Sequence, residues 1–173
     1  MRYRTWMYLS AYAGTSYYFL NNPEKIHVRN LKTQELMNEK KRIVFAHRGG
    51  SIENPENTIQ AFRASSKLGV AIETDCRSTK DGVVLVAHDD DLKRLTGRDL
   101  KVSETDHADI PKYTSTFMCE FGHHDYRVKK SDDFRFCTLE ELFQTVPNTQ
   151  IIQIDIKDAA NKATCLKVRQ LVD

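Results

Sequence analysis

Val70-Ala71-Ile72-Glu73-Thr74-Asp75 is an apolar run that closes on two carboxylates. An extended segment sends alternate side chains to opposite faces, so Glu73 and Asp75 leave the same face. Two carboxylates on one face repel each other unless a cation lies between them. A pair on a solvent-facing edge strand would escape that demand. Val70, Ala71 and Ile72 favour a buried strand instead. Oxygen-only donors suit Mg²⁺ or Ca²⁺ better than zinc.

Upstream, Ile43-Val44-Phe45-Ala46 is a second short apolar run, which predicts a strand buried on both faces. It ends at His47-Arg48-Gly49-Gly50. A histidine exchanges protons near neutral pH, and an arginine can hold a phosphoryl group by two parallel hydrogen bonds. Glycines let the backbone approach a ligand closely. Asn57 or Thr58 then caps a predicted helix with Ile59, Ala61, Phe62 and Leu68 on its apolar side, and Gly69 stops it.

Downstream, Thr79-Lys80-Asp81-Gly82 signals a turn, and Val83-Val84-Leu85-Val86-Ala87 is an extended run that ends at His88. Residues 89–137 are polar and irregular and read as an inserted excursion. Thr138 with Glu141 forms a capping box, and Pro147-Asn148 ends that helix. Ile151 to Ile156 is the next strand, and Asn161 to Val172 a third helix. Strands alternating with helices predict an α/β fold with a parallel sheet. In such folds the chemistry gathers at the carboxyl ends of the strands. His47, Glu73, Asp75, Asp155 and Lys157 sit at or just past those ends.

Asp155 is the natural third oxygen ligand beside Glu73 and Asp75. His47 and His88, flanking a metal, can supply the base and the acid that phosphodiester cleavage needs. Arg48 suits a phosphoryl oxygen, and Lys157, two residues after Asp155, can neutralise developing phosphate charge. Other clusters are weaker. His123-His124-Asp125 lies in the excursion and reads as a solvated turn, and Asp89-Asp90-Asp91 as a helix N-cap cluster. The four cysteines have no C-x-x-C spacing and read as reduced, small apolar residues.

With 173 residues, 40% hydrophobic and 29% charged, the chain is globular and holds one ordinary core. A net charge of +2, with no basic stripe carrying interleaved aromatics, argues against a nucleic-acid partner. Thr5 to Pro23 contains no charged residue. Its length is near the ~20 residues of a membrane span, and Trp6, Tyr17 and Tyr18 suit interfacial positions. Ala11-Tyr12-Ala13 resembles a signal-peptidase site but lacks an apolar stretch before it. Residues 1–23 are therefore expected to be a membrane-associated helix, 24–42 a linker and 43–173 the folded domain. Basic residues on both flanks leave the orientation open.

The ordered set His47-Arg48-Gly49-Gly50, Glu53-Asn54-Pro55-Glu56-Asn57-Thr58, Ala61-Phe62, Gly69, Glu73-Thr74-Asp75, Thr79-Lys80-Asp81-Gly82, His88-Asp89 and Leu95-Thr96-Gly97 resembles the glycerophosphodiester phosphodiesterase family. The apolar N-terminus is similar to the family's membrane-anchored lysophospholipase D branch. The resemblance implies a TIM barrel with an insertion after the second strand, which fits the excursion. It implies His47 and His88 as catalytic base and acid, Glu73, Asp75 and Asp155 as ligands of Mg²⁺ or Ca²⁺, and Arg48 and Lys157 on phosphate. It implies glycerophosphodiester or lysophospholipid substrates and a membrane location, the endoplasmic reticulum or another intracellular membrane. The family usually carries Glu where this chain has Asp155.

An eight-stranded barrel typically needs ~250 residues, so this sequence accounts for a partial barrel of about three β/α units. A truncated or incomplete chain is therefore expected. An inactive membrane-tethered fragment is the alternative to an enzyme, and a sphingomyelinase D-like phosphodiesterase is a third reading.

Overall fold

The computed structural model describes residues 43–118, 134–158 and 161–172, with the backbone of 125–127. The expected anchor (1–23) and linker (24–42) lie outside the described residues, as do Cys119, His123 and His124. Within them the order is β1 (Phe45–Ala46), a 3-10 turn (His47–Gly49), α1 (Ile59–Lys67), β2 (Ala71–Ser78), β3 (Val84–Val86) and α2 (Lys93–Thr96). Two further 3-10 turns follow, Val102–Glu104 and His107–Asp109. Then come β4 (Thr116–Met118), β5 (Asp125–Arg127), α3 (Leu139–Thr145), β6 (Ile152–Ile156) and α4 (Lys162–Val172). None of the described helices is long and apolar enough to cross a membrane.

β2 organises the sheet. Ile72 pairs in parallel with both Ala46 of β1 and Ile152 of β6, so these strands lie on opposite sides of β2. Cys76 pairs with Ile156 of β6 and, antiparallel, with Val86 of β3. β1 and β3 therefore share one side of β2, one at its start and the other at its end. The parallel pairs are those expected for a barrel-like α/β fold. The antiparallel β3 departs from the simple alternation, because Thr79 to Gly82 makes a turn too short for a crossover. Gly82 takes φ +81, and Thr79 accepts from the amide of Val83 at 2.9 Å.

The local signals act through recognisable contacts. Thr58, with φ −112, caps α1 by accepting from the amide of Ala61. Asn57 does not cap; its φ of 55 turns its side chain towards β2. Thr138 and Glu141 complete the capping box of α3. Gly69 follows α1 at φ +67.

One core cluster packs Phe62, Ile72, Cys76, Val84, Val86, Leu139, Leu142 and Val168 between the sheet and α1, α3 and α4. Because Ile72 and Cys76 face the helices, Glu73 and Asp75 face the other way. A second cluster joins Leu85 and Ala87 to Leu92, Leu95, Val102, Tyr113, Phe117, Phe134 and Phe136. The excursion thus has a core of its own, which explains why β3 is apolar on both faces. Two expectations need correction. Val44 and Phe45 are exposed rather than buried, since β1 pairs, among the described residues, with β2 on one side. Leu68 is 78% exposed, because it lies beyond the last turn of α1 and off its packed face.

Candidate active site

The turn after β1 is built for close approach. Arg48, Gly49 and Gly50 have φ values of 50, 76 and 91. Gly49 cannot carry a side chain, since a Cβ there would lie 2.8 Å from Cδ1 of Phe62. Ser65 donates to the carbonyl of Gly49 at 2.8 Å, and the amide of Asn57 to that of Arg48 at 2.9 Å. Pinned in this way, the turn aims the amide of Arg48 at Glu73 Oε2, 2.9 Å away. His47 Nε2 stands 4.0 Å from the same oxygen, with the imidazole half exposed.

The second histidine arrives from the opposite direction. Antiparallel β3 runs back along β2, and the amide of Ala87 donates to the carbonyl of Asp75 at 3.1 Å. His88 comes next, its carbonyl accepting from Arg77 Nε at 2.8 Å. β1 and β3 thus deliver His47 and His88 to the same short stretch of β2. His88 Nδ1 donates to Asp89 Oδ1 at 2.7 Å, since a carboxylate oxygen can only accept, so Asp89 engages Nδ1 and not Nε2.

On the other side of β2, Asp75 is in register with Asp155 and Glu73 with Gln153. Neighbours in register on parallel strands point to the same face, so Asp155 joins Glu73 and Asp75. Lys157 Nζ bridges the pair, 3.0 Å from Asp75 Oδ1 and 2.7 Å from Asp155 Oδ2. Burial opposes the charge on Lys157, but the hydrogen bonds to Asp155 and Asp75 outweigh it and raise its pKa. Asp75 is buried, whereas the Asp155 side chain is 51% exposed.

The carboxylates are hard oxygen donors of the kind that suit Mg²⁺ or Ca²⁺, and in this structure the Lys157 ammonium neutralises two of them. As they stand, no three His, Cys, Asp or Glu side chains among the described residues converge closely enough to hold one.

Sequence reasoning gave no site role to Glu56, Asn57, Asp89 and Arg94, which stand behind the site. Asn57 donates to Asp75 Oδ2 at 3.2 Å and accepts from the Thr74 hydroxyl at 3.0 Å. Glu56, 2% exposed, takes Arg48 Nη1 at 2.9 Å and both terminal nitrogens of Arg94 at 2.7 and 2.9 Å. Arg48 is itself buried, with Nε 3.6 Å from Asp75 Oδ2. Arg94 Nε also donates to Asp89 Oδ2 at 2.8 Å. Burial works against both charges. For Asp89 the bonds from His88 and Arg94 outweigh it and lower the pKa; for Arg94 the bonds to Glu56 and Asp89 raise it. Pro55-Glu56-Asn57-Thr58 and His88-Asp89 were visible as motifs. Arg94 gave no signal, because its partner Glu56 lies 38 residues away. Asp90 and Asp91 make local contacts, to Ser103 and to the amide of Lys93.

The sequence model of the glycerophosphoryl diester phosphodiesterase family matches residues 47–173. The chain is 37% identical over 165 residues to lysophospholipase D GDPD1 of Homo sapiens, covering 95% of this chain and 49% of that protein. It is 35% identical over 152 residues to lysophospholipase D GDPD3 of Homo sapiens, covering 86% of this chain and 44% of that one. The crystal structure of glycerophosphodiester phosphodiesterase from Thermotoga maritima superposes with a TM-score of 0.58 at 30% identity. That match covers 78% of this chain and 51% of the other. The chain spans about half the length of the relatives it matches. With that match running through both histidines and all three carboxylates, the chain belongs to the glycerophosphoryl diester phosphodiesterase family.

Proposed function

We propose that this chain carries the active site of a phosphoric diester hydrolase, acting on glycerophosphodiesters or lysophospholipids, and the first three β/α units of the barrel that holds it. The observation behind this reading is the convergence of His47 and His88 on the stretch of β2 that bears Glu73 and Asp75. Phosphodiester cleavage needs a base on one side of the phosphate and an acid on the other.

His47 takes the proton of the attacking group, either water or the substrate's own glycerol hydroxyl. His88 gives a proton from Nε2 to the departing alcohol, with Nδ1 held by Asp89. Glu73, Asp75 and Asp155 would hold Mg²⁺ or Ca²⁺, which when bound polarises the phosphate oxygens. Lys157 adds positive charge at the exposed rim. Arg48 reinforces the field on phosphate from behind Asp75, where its guanidinium is buried.

The test is alcohol release from glycerophosphocholine and lysophosphatidylcholine, in EDTA and then with Mg²⁺ or Ca²⁺. Release that needs the metal, and is lost in His47→Ala, His88→Ala and Glu73→Ala, supports the reading. Full turnover by any one variant removes that residue from the mechanism. Choline release from sphingomyelin, with none from either glycerol substrate, would turn the assignment to a sphingomyelinase D-like enzyme. One observation favours a second reading, an inactive chain: Asp155 is half exposed on β6, which among the described residues pairs with β2. No release under any condition supports it. The reading of 1–23 as an anchor in the endoplasmic reticulum or another intracellular membrane is tested by alkaline extraction of membranes, which releases an unanchored chain.

A further inference from the structure

We infer that Arg94 is a positioning residue of this site, fixing the His88 ring through Asp89 and tying it to the carboxylate side through Glu56. The inference rests on the hydrolase reading for its consequence but on distances for its geometry. Arg94 donates from Nη1 and Nη2 to the two oxygens of Glu56, and from Nε to Asp89 Oδ2. Nη2 also lies 2.8 Å from that Asp89 oxygen. The other Asp89 oxygen holds His88 Nδ1.

On its far side Glu56 Oε1 holds Arg48, whose amide and Nε reach Glu73 and Asp75. A continuous chain of charged hydrogen bonds therefore runs from His88 through Asp89, Arg94 and Glu56 to Arg48, whose backbone amide bonds Glu73 and whose Nε forms an ion pair with Asp75 at 3.6 Å. Each half comes from a different part of the sequence, and Arg94 is the link between them. The link needs a planar fork. A lysine carries the same charge from a single nitrogen and cannot span both carboxylates in this geometry. Without the link, Asp89 no longer has a fixed orientation, and His88 loses the contact that selects its tautomer.

Arg94 carries further structural contacts, since Nη1 also donates to the carbonyl of Met118 at 3.2 Å. Arg94→Ala can therefore lose the fold, and Arg94→Lys, checked by thermal unfolding, is the informative variant. In Mg²⁺ with glycerophosphocholine or lysophosphatidylcholine, Arg94→Lys is expected to lower kcat roughly 10- to 100-fold while KM stays within about twofold. Long-range nitrogen correlations of the His88 ring should show the Nδ1–H tautomer in the wild-type chain and a mixture of tautomers in Arg94→Lys.

A folded Arg94→Lys with wild-type kcat overturns the inference. So does a loss confined to KM, or an unchanged His88 tautomer. If the wild-type chain turns over neither substrate, the hydrolase reading fails, and the ring-nitrogen spectra alone decide whether Arg94 sets His88.

Discussion

The backbone amide of Arg48 donates to Glu73 Oε2 at 2.9 Å, so the turn after one strand fixes a carboxylate on the next. That bond depends on three successive residues at positive φ, with Gly49 packed against Phe62. Gly49→Ala is expected to destabilise the domain by at least about 1 kcal/mol, from the φ of +76 and the clash together. Urea denaturation with an unchanged slope measures this. A neutral result would mean that the turn can reshape freely.

Asn57 separates backbone strain from hydrogen bonding. Asn57→Gly keeps the φ of 55 accessible but removes the amide between Asp75 and Thr74. It should cost about 1–3 kcal/mol, because the buried Asp75 loses a donor. Asn57→Ala adds the conformational penalty and should cost more. Equal stability of the Gly variant and the wild type in chemical denaturation would remove any weight from the Asp75 bond.

The low pKa of Asp89 predicts a pH dependence of known sign. Burial opposes its charge, but the bonds from His88 and Arg94 win, so the folded pKa lies below the unfolded one. The unfolded chain then binds the proton more readily, and stability falls with acid. The contribution is complete above the usual carboxylate pKa of about 4 and disappears as pH drops through the folded value. Wild type should therefore exceed Asp89→Asn in Tm near neutral pH, with the gap closing in acid. A constant gap in calorimetry would refute this.

Cys76 and Cys137 should be inert. Burial, joined at Cys76 by the charge of Asp158, Asp75 and Asp155, pushes each thiol up to about 12. The thiolate is the reactive form, so iodoacetamide at neutral pH should leave both unmodified in the folded chain and alkylate them in urea. Peptide mass spectrometry distinguishes the two. Rapid labelling of the native chain at either residue would show that the core opens there.

Lys157 Nζ lies between Asp75 and Asp155, within ion-pair distance of both. Lys157→Gln removes that charge, and calorimetric titration should show tighter binding of Ca²⁺ or Mg²⁺ than in the wild type. Weaker binding would mean that Lys157 organises the carboxylates rather than competing for them.

The amino-acid sequence by itself determined the face that the carboxylates share and the local stops, although β2 runs on past Asp75 to Ser78. Alternation along Val70 to Asp75 put Glu73 and Asp75 on one face, and Thr138 with Glu141 announced a helix start that the structure repeats. These readings hold because strand period and capping act within a few residues. Only the tertiary structure decided what lies beside what. It made β3 antiparallel, so that His88 returns along β2 from the end opposite to His47. It turned Asn57 from a cap into a support for Asp75, and it buried Arg48. It joined Arg94 to Glu56 across 38 residues. Such pairings answer the electrostatic cost of burying a charge, and a buried carboxylate takes whichever arginine the fold brings near, however distant in sequence.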